Sequence, residues 1–382
     1  MTPASPWRDV RGIGFAGRIE LEQARAMLDA LLTEPCAEPV PLDAAIGRTT
    51  AAAALAPLDL PARLSARSDG YALPATATYG ASSYAPIETC DGLVEVAAGA
   101  AMPAGSDAVL GYGAAVVTAG RVEIVEPVAP GEGVMPAGGL WAAGATVIPA
   151  GRRLDALDVA RAAEAGVSEI TVWRRPRIAL LVAGTTQGGS TADPLELLLD
   201  GLVARDGAIP RRASALASAD GADLALVAGR TGCGTDDDAA PRLAASGRML
   251  WHGLAIAPGG SAGLGAIGDM PVILLPGEPF GCLAAYELVA GPAVRRLAGL
   301  DPALPHARAT RSLAAKIASR VGTTELWLVA AEGEKVRPLA HPDLATLATT
   351  APALGFVLVP AGSEGWPAGA EVEVHLLGGA CG

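Results

Sequence analysis

The pattern of apolar and polar positions divides the chain into stretches of different period. Residues 18–33, RIELEQARAMLDALLT, place apolar side chains three and four apart, the spacing of an amphipathic helix. A short helix and a Pro-rich extended segment follow in PVPLDAAIGRTTAAAALAPLDLP. Residues 70–136 change texture: short β-branched runs alternate with Gly, Pro and Asp turns, which predicts a small all-β module. Residues 144–172 read as strand, helix, strand. From Pro176 onward the apolar runs RIALLVAG, ADLALVAG and MPVILLPG alternate with helical stretches. Unbroken apolar strands of this kind are buried on both faces, as in a parallel sheet. Residues 175–299 are therefore expected to form an open, mostly parallel α/β domain, its last helix running from Pro279 to about Leu297. The tail from about Asp301 alternates strands with Gly turns and predicts a second β module, a barrel.

In an open α/β sheet, ligands sit beyond the carboxyl ends of the strands. Those ends here are Gly184-Thr185-Thr186, Gly229-Arg230-Thr231 and Pro276-Gly277-Glu278. In the last, VILLPGEPFGCLAAYELV runs from strand through turn to helix. Pro279 stands at the first helical position, where its missing N–H would have no partner anyway. Such a turn points free N–H groups and the positive helix end at an anion. Glu278 puts a carboxylate in that spot.

Composition removes several function classes. The net charge is −12 and only two Lys occur, Lys316 and Lys335. An acidic chain without basic blocks makes a poor nucleic-acid binder. No apolar run is long enough to span a bilayer, and the N-terminal MTPASPWRDVRGIGFAGR lacks the apolar core of a signal peptide. The five Cys (Cys36, Cys90, Cys233, Cys282, Cys381) are scattered with no CxxC, so neither a disulfide framework nor a zinc site is indicated. The expectation is a soluble, cytoplasmic, multidomain protein with no nucleic-acid or membrane partner.

The order of these elements and several motifs resemble the molybdopterin molybdenumtransferase family, the MoeA and gephyrin E-domain group. SDGYAL at Ser68–Leu73 resembles the family's S-x-M-D-G-Y-A turn. AAGAAMPAGSDAVL resembles T-G-A-x-x-P-x-G-x-D-A-V. APGG and LLPGEP resemble K-P-G-K-P and G-L-P-G-N-P, and PAGSEGWPAGAEVEVHLL resembles the C-terminal barrel. The resemblance implies a split N-terminal region (16–56 and 137–174), an inserted β domain (57–136), a pterin-binding-like α/β domain (175–299) and a C-terminal barrel (300–382). It further implies a homodimer, molybdopterin or its adenylylated form as ligand, magnesium, and insertion of molybdate. A metalloenzyme or cofactor-pathway protein is the implied partner.

The chain departs from the family at the site. The T-G-D-E loop reads AGTTQ, with Thr185 and Thr186 in place of both acids. Asp193 survives from D-[ST]-N, while Asn becomes Leu195. Gly229, Gly234 and Asp237 match S-G-G-V-S-V-G-x-x-D, with Arg230 intruding. The G-E-D acid is absent at Gly138–Leu140, and the T-G-A threonine is Ala98. The lysines of K-P-G-K-P fall at Ala257 and Gly260, around Pro258 and Gly259; the P-G-N-P asparagine is Glu278, between Pro276-Gly277 and Pro279. A carboxylate about 4 Å from a phosphate costs roughly 4 kcal/mol at an effective dielectric near 20, more than a helix end returns. Three ways out are open: Arg230 pairs with Glu278, a cation bridges Glu278 and Asp237 to the ligand, or the side chain swings into solvent.

The resemblance gives Asp237 and Asp69 as metal-organising catalytic groups, and the cation bridge among the three ways out gives Asp237 and Glu278 as metal ligands. It gives Gly184, Thr185, Thr186, Asp193, Gly229, Arg230, Gly234, Pro258, Gly259, Pro276, Gly277, Glu278 and Pro279 as cofactor-binding positions. Bland roles stand beside these: Asp69 as an Asx-turn residue before Gly70, Asp193 as the N-cap of a helix with Pro at its first position, and TDDD at 235–238 as a solvated acidic loop. His306, His341 and His375 read as isolated structural histidines, and Trp141, Trp173, Trp251 and Trp327 as packing. Two function classes follow: a molybdenum cofactor biosynthesis protein that binds the pterin and inserts molybdate, or a catalytically inactive paralogue acting as scaffold, subunit or chaperone. A dinucleotide enzyme is disfavoured, because TTQGGS and no G-x-G-x-x-G follows the first strand.

Overall fold

The computed structural model describes residues 7–89, 93–118, 121–183 and 193–378. The chain divides into two compact units, Met1–Cys36 with Trp173–Gly382, and Ala37–Val172.

The larger unit holds a six-stranded sheet in the order Ile209–Arg212, Arg177–Val182, Leu224–Ala228, Met270–Leu275, Gly263–Ile267, Arg248–His252. The first four strands run parallel, and the last two form an antiparallel extension. The three apolar runs are three of its four inner strands, and Leu224, Leu226, Ile273 and Leu275 are fully buried. The other three strands escape the apolar pattern for physical reasons. IPRR is an edge strand, where Pro and outward Arg are tolerated. RMLWH is the other edge strand and pairs antiparallel with GLGAI, and Gly and Arg break the period in these two.

The last helix of the sheet domain is also more complex than one run. Pro279–Ala285 and Gly291–Leu297 are α-helical, and Tyr286–Ala290 between them is a π turn. Pro292 has no N–H to donate to the carbonyl four residues back, so the hydrogen-bond ladder must shift around it. The π turn places Tyr286 and Glu287 in the interior. There Asp206 binds Arg295 (2.8 Å) and the Tyr286 hydroxyl (3.1 Å), while Arg205 binds both Asp206 and Glu287. His306 reaches Glu287 at 3.2 Å. His306 is thus not isolated: its partner stands 19 positions earlier in sequence, on a helix face that no local pattern reveals.

Five strands close into a barrel. Thr324–Glu332 pairs with Lys335–Pro338 and with Gly355–Val359; the ring is completed through Arg308–Leu313 and Glu371–Leu376. Its interior is Leu313, Val329, Val336, Val357 and Val374. Phe280 and Ala284 of the Pro279 helix pack with Leu326, Leu328 and Phe356 of the barrel.

The smaller unit contains two three-stranded antiparallel sheets, one centred on Gly70–Leu73 and one on Arg121–Ile124. Its helix Ala156–Glu164 starts with a reciprocal cap between Asp155 and Asp158. Asp158 is fully buried and held by Arg152 and Arg161.

Candidate functional site

The carboxyl ends of the two central strands meet through glycine. A Cβ on Gly277 would lie 3.0 Å from the Gly229 Cα. Gly229 itself has φ +94°, and a Cβ there would lie 2.8 Å from the carbonyl oxygen of Ala183. Side chains at either position would push the strand ends apart. The two loops therefore need both glycines to approach this closely.

Glu278 is the N-cap of the Pro279 helix. Its carboxylate accepts hydrogen bonds from the main-chain N–H groups of Phe280 (2.9 Å) and Gly281 (2.5 Å). The cap satisfies two of the donors that every helix leaves free at its start. The donors that would face an anion are thus occupied by the protein's own carboxylate. Of the three ways out, the Arg230 pairing is not the one adopted: Arg230 engages the Asp236–Asp238 loop. The nearby Cys282 thiol is pushed up to about 12, first by burial and then by the Glu278 charge. It is no nucleophile at neutral pH.

Arg230 serves the loop that follows it. Its φ is +57°, a left-handed conformation that an L-residue adopts at a cost. Its Nε donates to the Asp236 carbonyl (3.0 Å) and pairs with Asp238 (2.9 Å); Asp238 also binds Arg242. Asp237 turns inward and accepts from the Gly234 N–H at 2.8 Å. Each acid of the cluster offered for magnesium, other than the exposed Asp236, is engaged within its own loop. Among the described residues no three His, Cys, Asp or Glu side chains converge on one point. Asp237 and Glu278 each accept from main-chain N–H groups of their own segment.

The third wall is the turn Pro258–Ser261, entered by a cis Ala257–Pro258 bond. The Gly259 and Gly281 backbones are in close contact: a Cβ on Gly281 would lie 3.5 Å from the Gly259 nitrogen. Ser261 shares a hydrogen bond with the buried Thr231 (3.1 Å). The guanidinium of Arg18 lies over Gly260, with Cζ and Nε 3.3 Å from where a Cβ would stand. It is steadied above the Phe15 ring, 5.6 Å from its centre, and no carboxylate among the described residues pairs with it. Sequence reasoning missed Arg18, because 242 positions separate it from Gly260 and the stretch around it has no distinctive period. It also missed His252, whose Nε2 donates to the Thr231 carbonyl at 2.8 Å.

The remaining sequence candidates separate. Gly184, Thr185 and Thr186 lie outside the described residues. Asp193 caps the Pro194–Arg205 helix by accepting from the Leu195 N–H (2.8 Å). Pro276 is buried under Gly277, and Pro279 opens its helix. Asp69 belongs to the smaller unit, where it accepts from the Ala98 N–H at 2.7 Å, a long-range tie rather than a turn bond within its own tetrapeptide.

Residues 19–166 match the family model of the MoeA N-terminal region (domain I and II). Molybdopterin molybdenumtransferase 2 of Mycobacterium tuberculosis is 27% identical over 312 residues, covering 70% of this chain and 77% of that protein. A putative molybdopterin biosynthesis protein of Methanocaldococcus jannaschii is 24% identical over 370 residues, covering 87% and 90%. The crystal structure of a molybdopterin biosynthesis MoeA protein from Pyrococcus horikoshii superposes with a TM-score of 0.77 at 24% identity, over 95% of this chain and all of that one. Among the described residues no helix is long and apolar enough to cross a membrane.

Proposed function

We propose that this chain, MoeA-like by its family match, its relatives and its fold, works in molybdenum cofactor biosynthesis by holding a molybdopterin-class ligand at the carboxyl edge of its sheet. The observation that carries the reading is the Glu278 cap. A phosphate cannot share the Phe280 and Gly281 N–H groups with that carboxylate without meeting its charge. The ligand's anionic group is instead directed to the opposite wall, where Arg18 lies over the Gly260 turn and the Thr231 and Ser261 hydroxyls stand. Arg18 thereby returns the positive charge that the family carries as lysine at the position of Gly260.

Two roles divide the reading. Asp237 and Glu278 both spend hydrogen-bonding capacity on main-chain N–H groups, and this favours a binding role, as scaffold, subunit or chaperone in the pathway. The charge that Arg18 returns favours the second role, adenylylated molybdopterin binding with molybdate insertion. A homodimer, a cytoplasmic location and a cofactor-pathway protein partner belong to both.

Titration calorimetry with molybdopterin and with its adenylylated form, on the parent and on Glu278→Asn, tests this. Asn still caps a helix, so the fold is kept. The variant is expected to bind at least about tenfold more tightly, since the removed charge opposes the ligand by more than 1.4 kcal/mol. Equal affinity of parent and variant would mean that Glu278 does not displace the anion. No binding by either protein would end the pterin reading.

A further inference from the structure

One strand of the smaller unit ends its sheet without any of the usual guards. Ala115–Thr118 is an edge of the three-stranded sheet Ile87–Thr89, Arg121–Ile124, Ala115–Thr118, and it pairs on one side only. An unpaired edge is a template for another chain, and proteins blunt it with charge, Pro or cover. In the sheets of three or more strands, the other edge strands that reach water all carry a charge: IPRR and RMLWH in the larger unit, IET and VEV in this one. The edges Ala108–Leu110 and Ile256–Ala257 are buried. AVVT has neither charge nor Pro, and its valines are open to water, Val116 at 46% exposure and Val117 at 56%.

Successive side chains of a strand point to opposite faces, so two adjacent exposed valines leave this strand without a fully sealed face. On one face Ala115 lies opposite the buried Ile124 and packs on the core, while Val117, opposite Val122, runs past it. On the other face Val116, Glu123 and Glu88 form a row across the three strands. Like charges directly opposite one another destabilise a sheet. Among the described residues Glu123 has no cation in ion-pair contact, and Glu88 has Arg121 at 3.5 Å. The Val125 N–H donates to the Ala114 carbonyl (3.0 Å). In an antiparallel ladder the main-chain groups of alternate residues point the same way. Those of Val116 therefore face Arg121–Ile124, and those of Ala115 and Val117 point outward.

We propose that this edge takes up an extended segment of a partner protein as a further strand, one in which basic and β-branched side chains alternate. The open N–H and C=O groups of Ala115 and Val117 supply the ladder. The partner residue beside Val117 is apolar and continues the core face. The residue beside Val116 is Lys or Arg. It stands two strand spacings, roughly 10 Å, from Glu123, and its long side chain crosses Val116 to the unpaired carboxylate. The charge of the module selects the same occupant: residues 57–136 hold nine Asp and Glu against Arg63, Arg67 and Arg121, with no Lys. A second copy of this chain is the poorer fit, since it brings the same valine edge with the same acids.

The test titrates the intact chain with a fluorescent eight-residue peptide of alternating Lys and Val and, separately, with its Glu–Val counterpart. The parent is compared with Val117→Lys, which blunts the edge, and with Glu123→Gln. Val117 is exposed and Glu123 lies on the face away from the core, so both variants keep the fold, checked by their urea midpoints. The Lys–Val peptide is expected to bind at least about tenfold more tightly than the Glu–Val one, Val117→Lys to weaken it about tenfold, and Glu123→Gln severalfold. In amide exchange the bound peptide slows Ala115 and Val117 and leaves Val116, already bonded within the sheet, unchanged; adhesion by charge alone protects none of them. No binding of the Lys–Val peptide, equal affinity for the two peptides, binding untouched by Val117→Lys, or no protection at Ala115 and Val117 would overturn the proposal. Dimerisation of the parent that Val117→Lys abolishes would also overturn it, by giving the edge to a second copy. No readout involves the pterin, so this surface and that site stand or fall apart.

Discussion

Two clusters of carboxylates and guanidiniums in the larger unit use the same side chains to opposite ends. In the first, Asp206, Glu287 and Arg295 are each 1–2% exposed and sealed between the helices and the start of the barrel. In the second, Arg230 and Arg242 project from the loop at the sheet's carboxyl edge and share Asp238 in partial contact with water. Burial decides what each cluster is for. Desolvated charges must keep their partners, because an unpaired ion in the interior costs several kcal/mol. Exposed pairs contribute less than about 1 kcal/mol and exchange partners freely. The sealed cluster is a joint, and the open one is a loop whose ion pairs can exchange.

The hardest test of that contrast is Asp206→Ala. It leaves Arg295, 3% exposed at its side chain, without its carboxylate and removes the acceptor of the Tyr286 hydroxyl. A loss of about 3–5 kcal/mol is expected, read as a fall in the urea midpoint with an unchanged slope. A loss under about 1 kcal/mol would place the buried cluster in the same class as the exposed one.

Acid should divide the clusters next. Burial of Glu287 opposes its ionisation, but the contacts with His306 and Arg205 outweigh this and hold its pKa below the ordinary value. A folded-state pKa below the unfolded one stabilises the protein fully above the unfolded value, and the gain is lost as pH falls through the folded one. Stability should therefore be level near neutrality and decline on the acid side of the usual glutamate range, by up to about 1.4 kcal/mol per pH unit for one such group. Glu287→Gln should be less stable at pH 7 and flatter with pH, and an unchanged slope in that variant would assign the acid sensitivity elsewhere.

What the sequence discloses follows the same division. The buried strands are legible because desolvation demands unbroken apolar runs, as in Leu224–Ala228 and Val272–Leu275. The barrel is legible from alternation and Gly turns. The sealed cluster is not, because Arg205, Glu287 and His306 are brought together only by the packing of elements far apart in the chain, and His306 looks solitary when read alone. Glu278 teaches a subtler lesson. Pro279 at the first helical position makes the preceding residue the N-cap, so a local rule already names the partners of the carboxylate. Weighing Glu278 only against a ligand passes over that rule. Arg18 obeys none: its place over Gly260 comes from the N-terminal segment crossing the sheet edge.

The smallest effect is expected at Arg230, and it is the one that most sharpens the comparison. Replacing it by Gly relieves a left-handed backbone that costs an L-residue roughly 1–2 kcal/mol. Against this, Gly raises the entropy of the unfolded chain by about 0.5–1 kcal/mol, and the Asp238 pair, worth about 0.2–1 kcal/mol when exposed, is lost. The Ala239 N–H still reaches the carbonyl of residue 230, and Asp238 still has Arg242, so the loop keeps its main-chain closure and its acid keeps a cation. The terms nearly cancel, and Arg230→Gly should match the parent within about 1 kcal/mol in urea denaturation. A loss above about 2 kcal/mol would show the open loop to be held as tightly as the sealed joint. Burial would then not be what separates the two clusters, and the free exchange of partners read into the open loop would have to be abandoned.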